Sequence, residues 1–146
     1  MGIVSPVGND IDTAWQNICE GRSGIGPITE IDASEFATQI AGEVRDFNIG
    51  DFISPRDARR MDTFMHYGIA ASVNAVKDSG LEVTEENSHR IGVAMGAGIG
   101  GLATIEDNHN KYLSGGARKV SPFFIPVSYT HLTLPTMRLR CSCRWG

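Results

Sequence analysis

The chain has 146 residues, a formal net charge of −4, 41% apolar and 21% charged residues, a balance that fits one globular domain with a modest core. The acidic balance argues against a general nucleic-acid binder, no apolar run is long enough to span a bilayer, and Met1–Pro6 is no secretory signal. Three cysteines, two of them in the C-x-C of Cys141 and Cys143, make neither a disulfide framework nor a zinc knuckle, so a reducing, cytoplasmic compartment is expected.

Met1-Gly2-Ile3-Val4 reads as the last residues of a strand. A helix follows: Asn9 or Asp10 can cap it, Ile11, Ala14, Trp15 and Ile18 form one apolar stripe, and Gly21 stops it. Cys19 within that pattern is expected to be a small core residue. From Phe36 through Thr38, Ile40, Gly42 and Val44 the residues alternate as in a strand. The longest expected element starts at Ser54, where Pro55 suits the first helical position and Asp57 completes a capping box. Its stripe (Met61, Phe64, Met65, Gly68, Ile69, Ser72, Val73, Val76) continues to Gly80, a helix of about seven turns. Gly68 and Ser72 are small, which predicts close approach of another backbone, and the stripe is expected to lack most of its sheet partners. Ile91–Met95 reads as a buried strand leading into Gly96-Ala97-Gly98-Ile99-Gly100-Gly101. A last helix runs through Leu102, Ile105, His109, Tyr112 and Leu113 to Gly115-Gly116. Helices and strands in this order give the α/β class.

Beyond Pro126 the character changes. Residues 128–146 carry Arg138, Arg140 and Arg144, two of the three cysteines and no acidic residue. Two units are expected: residues 1–126 as a partial domain, and 127–146 as an unrelated tail, artefactual or disordered.

Three features bear on chemistry. The glycine string satisfies G-x-G-x-x-G between a strand and a helix, which leaves open a dinucleotide-binding oxidoreductase, with glycines approaching a phosphate at a helix N-terminus. Against that stands the absence of an acidic residue about twenty positions later, where Ser121 and Pro122 are found. Arg56, Arg59 and Arg60 share a face of the long helix near its N-terminus, where cations oppose the helix dipole. Such a placement suggests an acidic partner, and so leaves open a non-catalytic module that binds an acidic protein; a solvated charged face is the other reading. Between prolines, Phe123 and Phe124 suggest a rigid segment that lines a core, a pocket or an interface. None of His66, His89, His109 and His131 has the spacing of a metal ligand or a general base.

Ser5-Pro6-Val7-Gly8-Asn9, the stretch Ser54 to Asp62, Asp78-Ser79-Gly80-Leu81, the glycine string and the run Gly115 to Phe124 together closely resemble the elongating 3-oxoacyl-[acyl-carrier-protein] (beta-ketoacyl-ACP) synthases of bacterial fatty acid synthesis. The resemblance implies a thiolase-like α/β fold, of which the chain holds part of the N-terminal half, with the first strand largely missing and the C-terminal half absent. It implies a homodimer, no cofactor or metal, and decarboxylative condensation of an acyl-enzyme with malonyl-loaded acyl carrier protein. The family uses a Cys nucleophile in a Thr-Ala-Cys type elbow at a helix N-terminus, two His residues and an oxyanion hole. No such elbow occurs here, and Cys141, Cys143 and His131 match none of the family's motifs. No catalytic residue is therefore assigned, and the chain by itself is expected to be inactive. By the same resemblance Ile99 is an acyl-pocket gate, Arg56, Arg59 and Arg60 meet the acidic carrier protein, and Phe124 belongs to the dimer seam and the wall of the partner's acyl pocket.

Overall fold

The computed structural model describes residues 1–97, 100–122 and 124. The expected tail at 127–146 and the gate residue Ile99 lie outside the described residues. Helix α1 spans Ile11–Cys19, strands β1 and β2 span Ile25–Pro27 and Ile40–Gly42, and helices α2, α3 and α4 span Pro55–Ala58, Thr63–Ser79 and Leu102–Gly115. Short 3-10 turns at Ile49–Asp51, Ser88–Arg90 and Ala117–Lys119 link them.

Helix α1 begins where the sequence places it. Asp10 is extended, and its carboxylate accepts from the Thr13 amide and hydroxyl, both at 2.8 Å. These two bonds hold the Asp10 carboxyl below its ordinary range. Of the expected stripe only Ala14 is buried, while Trp15 remains 66% exposed and Ile18 is exposed too. Cys19 is also exposed, so the small-core assignment is corrected. It ends a helix whose buried face is one alanine wide.

The alternating stretch from Phe36 condenses to three residues. Ile40–Gly42 pairs antiparallel with Ile25–Pro27, Ile25 opposite Gly42 and Pro27 opposite Ile40. Phe36 instead turns back, its amide bonded to Ala33 O, and its ring is exposed. Glu43, just after β2, clasps the connection that follows β1: its carboxylate takes the Thr29 amide at 2.8 Å, the Thr29 hydroxyl at 2.7 Å and the Glu30 amide at 3.2 Å.

The seven-turn helix expected from Ser54 is two helices. Ser54 does cap α2, and Pro55 opens it, but it ends after four residues. Asp62 then adopts an extended backbone (φ −83°, ψ 160°) and starts α3 with its own cap, accepting from the Thr63 amide at 2.6 Å. A helix cannot continue through an extended residue. Gly80 closes α3 in the left-handed region at φ 63°.

Helix α3 is the hub, with Met65, Ile69 and Ala70 buried. The N-terminal segment crosses it so closely that a Cβ on Gly2 would sit 1.8 Å from Ala71 O. On another face the Ser72 hydroxyl meets Met95 Sδ at 3.0 Å, and Phe47 lies edge-on against Tyr67 with ring centres 5.1 Å apart. Of the expected stripe Met65 and Ile69 are buried, whereas Phe64, Gly68, Ser72, Val73 and Val76 are only partly covered, and the two-stranded sheet β1–β2 is the sheet formed among the described residues. The exposed apolar side chains lie elsewhere, on α1, on the hairpin at Ile25 and Ile40, and on α4 at Leu102, Tyr112 and Leu113. Ile91–Met95 forms no strand, because no described segment supplies the ladder of hydrogen bonds a strand requires, and Val93 is half exposed.

The Glu43 clasp predicts a pH dependence. Its three hydrogen bonds, those to Thr29 first, depress the carboxyl below its ordinary value in the folded chain. The clasp is therefore intact above the ordinary carboxylate range and is lost as pH falls through the depressed value. Hydrogen exchange at the Thr29 amide should accelerate on acidification beyond the intrinsic trend, and Glu43→Gln should flatten that dependence. Parallel profiles for the two chains would refute the clasp.

Candidate functional site

The arginines sit differently from their expected setting. Helix α2 ends at Ala58, so Arg59 is its C-terminal cap residue and Arg60 follows it. Cations there lie at the favourable end of α2 rather than at the N-terminus of a long helix, which corrects the stability cost inferred from the sequence. All three arginines are exposed, and among the described residues neither Arg56 nor Arg59 forms an ion pair.

The connecting segment is fastened at both ends. His66, one turn into α3, places its Nε2 3.0 Å from Ala58 O, the end of α2. At the other end Asp62 uses both carboxylate oxygens. Oδ1 caps α3, and Oδ2 accepts the hydroxyl of Thr104 in the first turn of α4. One carboxylate thus links the first turns of two helices. Gly101, the N-cap of α4, offers no side chain of its own, and a Cβ there would lie 3.2 Å from Asp62 Oδ2.

The glycine turn packs on the same place. A Cβ on Gly100 would sit 2.6 Å from Cδ2 of Phe64, in the first turn of α3. Gly96, by contrast, faces open space. Further along α4, buried Asn108 donates to Thr104 O at 2.8 Å and accepts the Ser121 amide at 2.9 Å. The Phe124 amide then bonds Ser121 O at 3.0 Å, and the Phe124 residue is half-buried. The three regions singled out in the sequence are thereby joined by one polar line, Asp62–Thr104–Asn108–Ser121.

Those linking residues were not singled out in the sequence. Asp62 carried a signal: an Asp-Thr pair, poor in helix propensity and good at capping, sits inside an apparent helix. Thr104 and Asn108 are polar members of an ordinary helix face and announce nothing. Among the described residues no group of three or more His, Cys, Asp or Glu could hold a metal ion.

Residues 1–135 match the family model described as Beta-ketoacyl synthase, N-terminal domain. The 3-oxoacyl-[acyl-carrier-protein] synthase 2 of Vibrio harveyi is 51% identical over 132 residues, which is 90% of this chain and 32% of that protein. Among solved structures, the ishigamide ketosynthase/chain length factor superposes with a TM-score of 0.67 at 30% identity, over 85% of this chain and 31% of that one. A ketosynthase solved in complex with its type II polyketide acyl-carrier protein gives a TM-score of 0.69 at 25% identity, over 88% and 33%. The chain thus spans about a third of the length of the relatives it matches. The described residues carry part of the ketosynthase, thiolase-like α/β fold.

Packing of the glycine turn on Phe64 gives a direct expectation. Gly100→Ala should lower stability by about 1–3 kcal/mol through overpacking, read as a fall in the urea midpoint. Adding Phe64→Leu should recover most of the loss. A neutral Gly100→Ala would refute the close approach.

Proposed function

Because the chain belongs to the beta-ketoacyl synthase family through its N-terminal domain, we propose that it supplies the carrier-docking and acyl-pocket side of a synthase that elongates fatty acyl chains. The observation that carries this reading is the 51% identity over 132 residues to a protein named for that activity.

In the proposed reaction an enzyme thiolate holds the growing acyl chain as a thioester. A malonyl group on the carrier protein loses carbon dioxide, and the resulting carbanion attacks the thioester carbonyl. A carbon–carbon bond forms, the thiolate leaves, and the product is a 3-oxoacyl group on the carrier. Negative charge on the attacked carbonyl oxygen requires preorganised donors. No residue of this chain is given the part of nucleophile or base. Cys19 ends α1 at its C-terminus, whereas the family's nucleophile stands at a helix N-terminus.

Carrier docking falls to Arg56, Arg59 and Arg60. All three are exposed, and Arg56 and Arg59 form no ion pair among the described residues; complementary charge of this kind sets encounter rate and orientation. The ketosynthase superposed above was solved with an acyl-carrier protein, which supports the same choice of partner. On this reading Ile99 stands at the mouth of the acyl pocket, and Phe124 lies where two subunits of a cytoplasmic homodimer meet. No helix among the described residues is long and apolar enough to cross a membrane.

Two outcomes test the proposal. Arg56→Glu with Arg59→Glu should weaken binding of holo-acyl carrier protein by on the order of tenfold or more, and wild-type binding should weaken as salt is raised. Salt-independent binding unaffected by the reversals would sink the docking role. With acyl- and malonyl-loaded carrier protein the chain alone should release no carbon dioxide, and steady turnover would show that it holds a nucleophile after all.

A further inference from the structure

The segment between α2 and α3 bears Arg59 and Arg60 and is bonded along its own backbone, Arg59 N to Pro55 O, Arg60 N to Asp57 O and Met61 N to Ala58 O, so it moves as a unit. At its start Ala58 O is held by the His66 ring at 3.0 Å. At its end Asp62 is extended, caps α3 through Oδ1 and receives the Thr104 hydroxyl on Oδ2. Asp62 follows Arg60 by two residues, so a displacement of the arginine-bearing backbone is carried directly to this carboxylate.

On the far side of the carboxylate, α4 has little else to hold its start. Gly101 provides no side-chain cap, and the first amides of any helix lack intrahelical partners. Gly101 is nevertheless buried, against Asp62, and Gly100 lies on the Phe64 ring. Both contacts come from residues 62–64, the beginning of α3. The first residue of α4, Leu102, is exposed. The order of this turn therefore depends on where Asp62 stands.

We propose that Asp62 is a positioning residue that couples the two surfaces: its bond to Thr104 makes the conformational freedom of Gly100–Thr104 depend on whether a partner is seated on Arg56 and Arg59. A partner that immobilises the arginine segment fixes Asp62, and Asp62 then fixes the start of α4. A turn ordered in this way opens and closes less often, so its amides exchange more slowly with solvent. The coupling rests on the docking role proposed above for the arginines, and it adds a link that the docking role does not itself require.

Hydrogen exchange at the amides of Leu102–Ile105 in the full chain, with and without saturating holo-acyl carrier protein, tests it. In the wild type the carrier should slow exchange several-fold. Thr104→Val, which keeps the shape and loses the hydroxyl, should bind the carrier as the wild type does and show no slowing. Thr104→Ser, which restores a hydroxyl, should restore the slowing. Should the valine variant unfold, Thr104→Ala serves in its place, since alanine is the better helix former. Equal slowing with and without the hydroxyl overturns the coupling, as does unchanged exchange in a wild-type chain that binds the carrier. A wild-type chain that binds no carrier overturns the docking role first, and the coupling with it.

Discussion

A single carboxylate at the start of α3 links the three regions singled out in the sequence. Asp62 ends the arginine-bearing segment, caps α3 and anchors the first turn of α4. Its Oδ1 accepts an orphan amide at the start of α3 and its Oδ2 accepts a side-chain hydroxyl in the first turn of α4, so one carboxylate ties two helix N-termini together. The remaining links follow from that choice. With Thr104 held, Asn108 one turn later is placed to accept the Ser121 amide, which brings the segment leading to Phe124 alongside α4. Removing the carboxylate would free three regions together.

Apolar burial contributes less than the length of the chain would suggest. Among the described residues the fully buried large side chains are Met65 and Ile69, both on α3, while Trp15, Leu102 and Leu113 are largely exposed. Burial grows with chain length, and the relatives matched here are about three times as long. Polar links such as Asp62–Thr104 and the Glu43 clasp accordingly have a large share in defining how the described segments sit together. They are partly buried in the first case and exposed in the second, so water competes unequally for them.

The glycine string shows how one pattern serves different chemistries. Glycines between an extended segment and a helix suit a phosphate, and they equally suit close packing on an aromatic ring. Here the contact with Phe64 explains Gly100 and the contact with Asp62 explains Gly101, neither of which needs a bound phosphate. At Gly96 a Cβ would meet nothing within 4 Å among the described residues, and its small size has no explanation there.

Local signals in the sequence determined what local physics could determine. Asp10 and Ser54 were recognisable as caps because their side chains satisfy amides within three residues, and Gly80 and Gly116 as stops because they take positive φ. The long runs of matching residues also determined the family. Tertiary structure alone decided the rest, since it turns on contacts between residues far apart in the chain. The break at Asp62 is itself a local cap on the Thr63 amide, but that the same carboxylate also meets Thr104, 42 residues later, is shown only by the tertiary structure. Cys19 and Trp15 stayed exposed, and Ile91–Met95 stayed unpaired, because periodicity reports which face is apolar and not whether anything covers it.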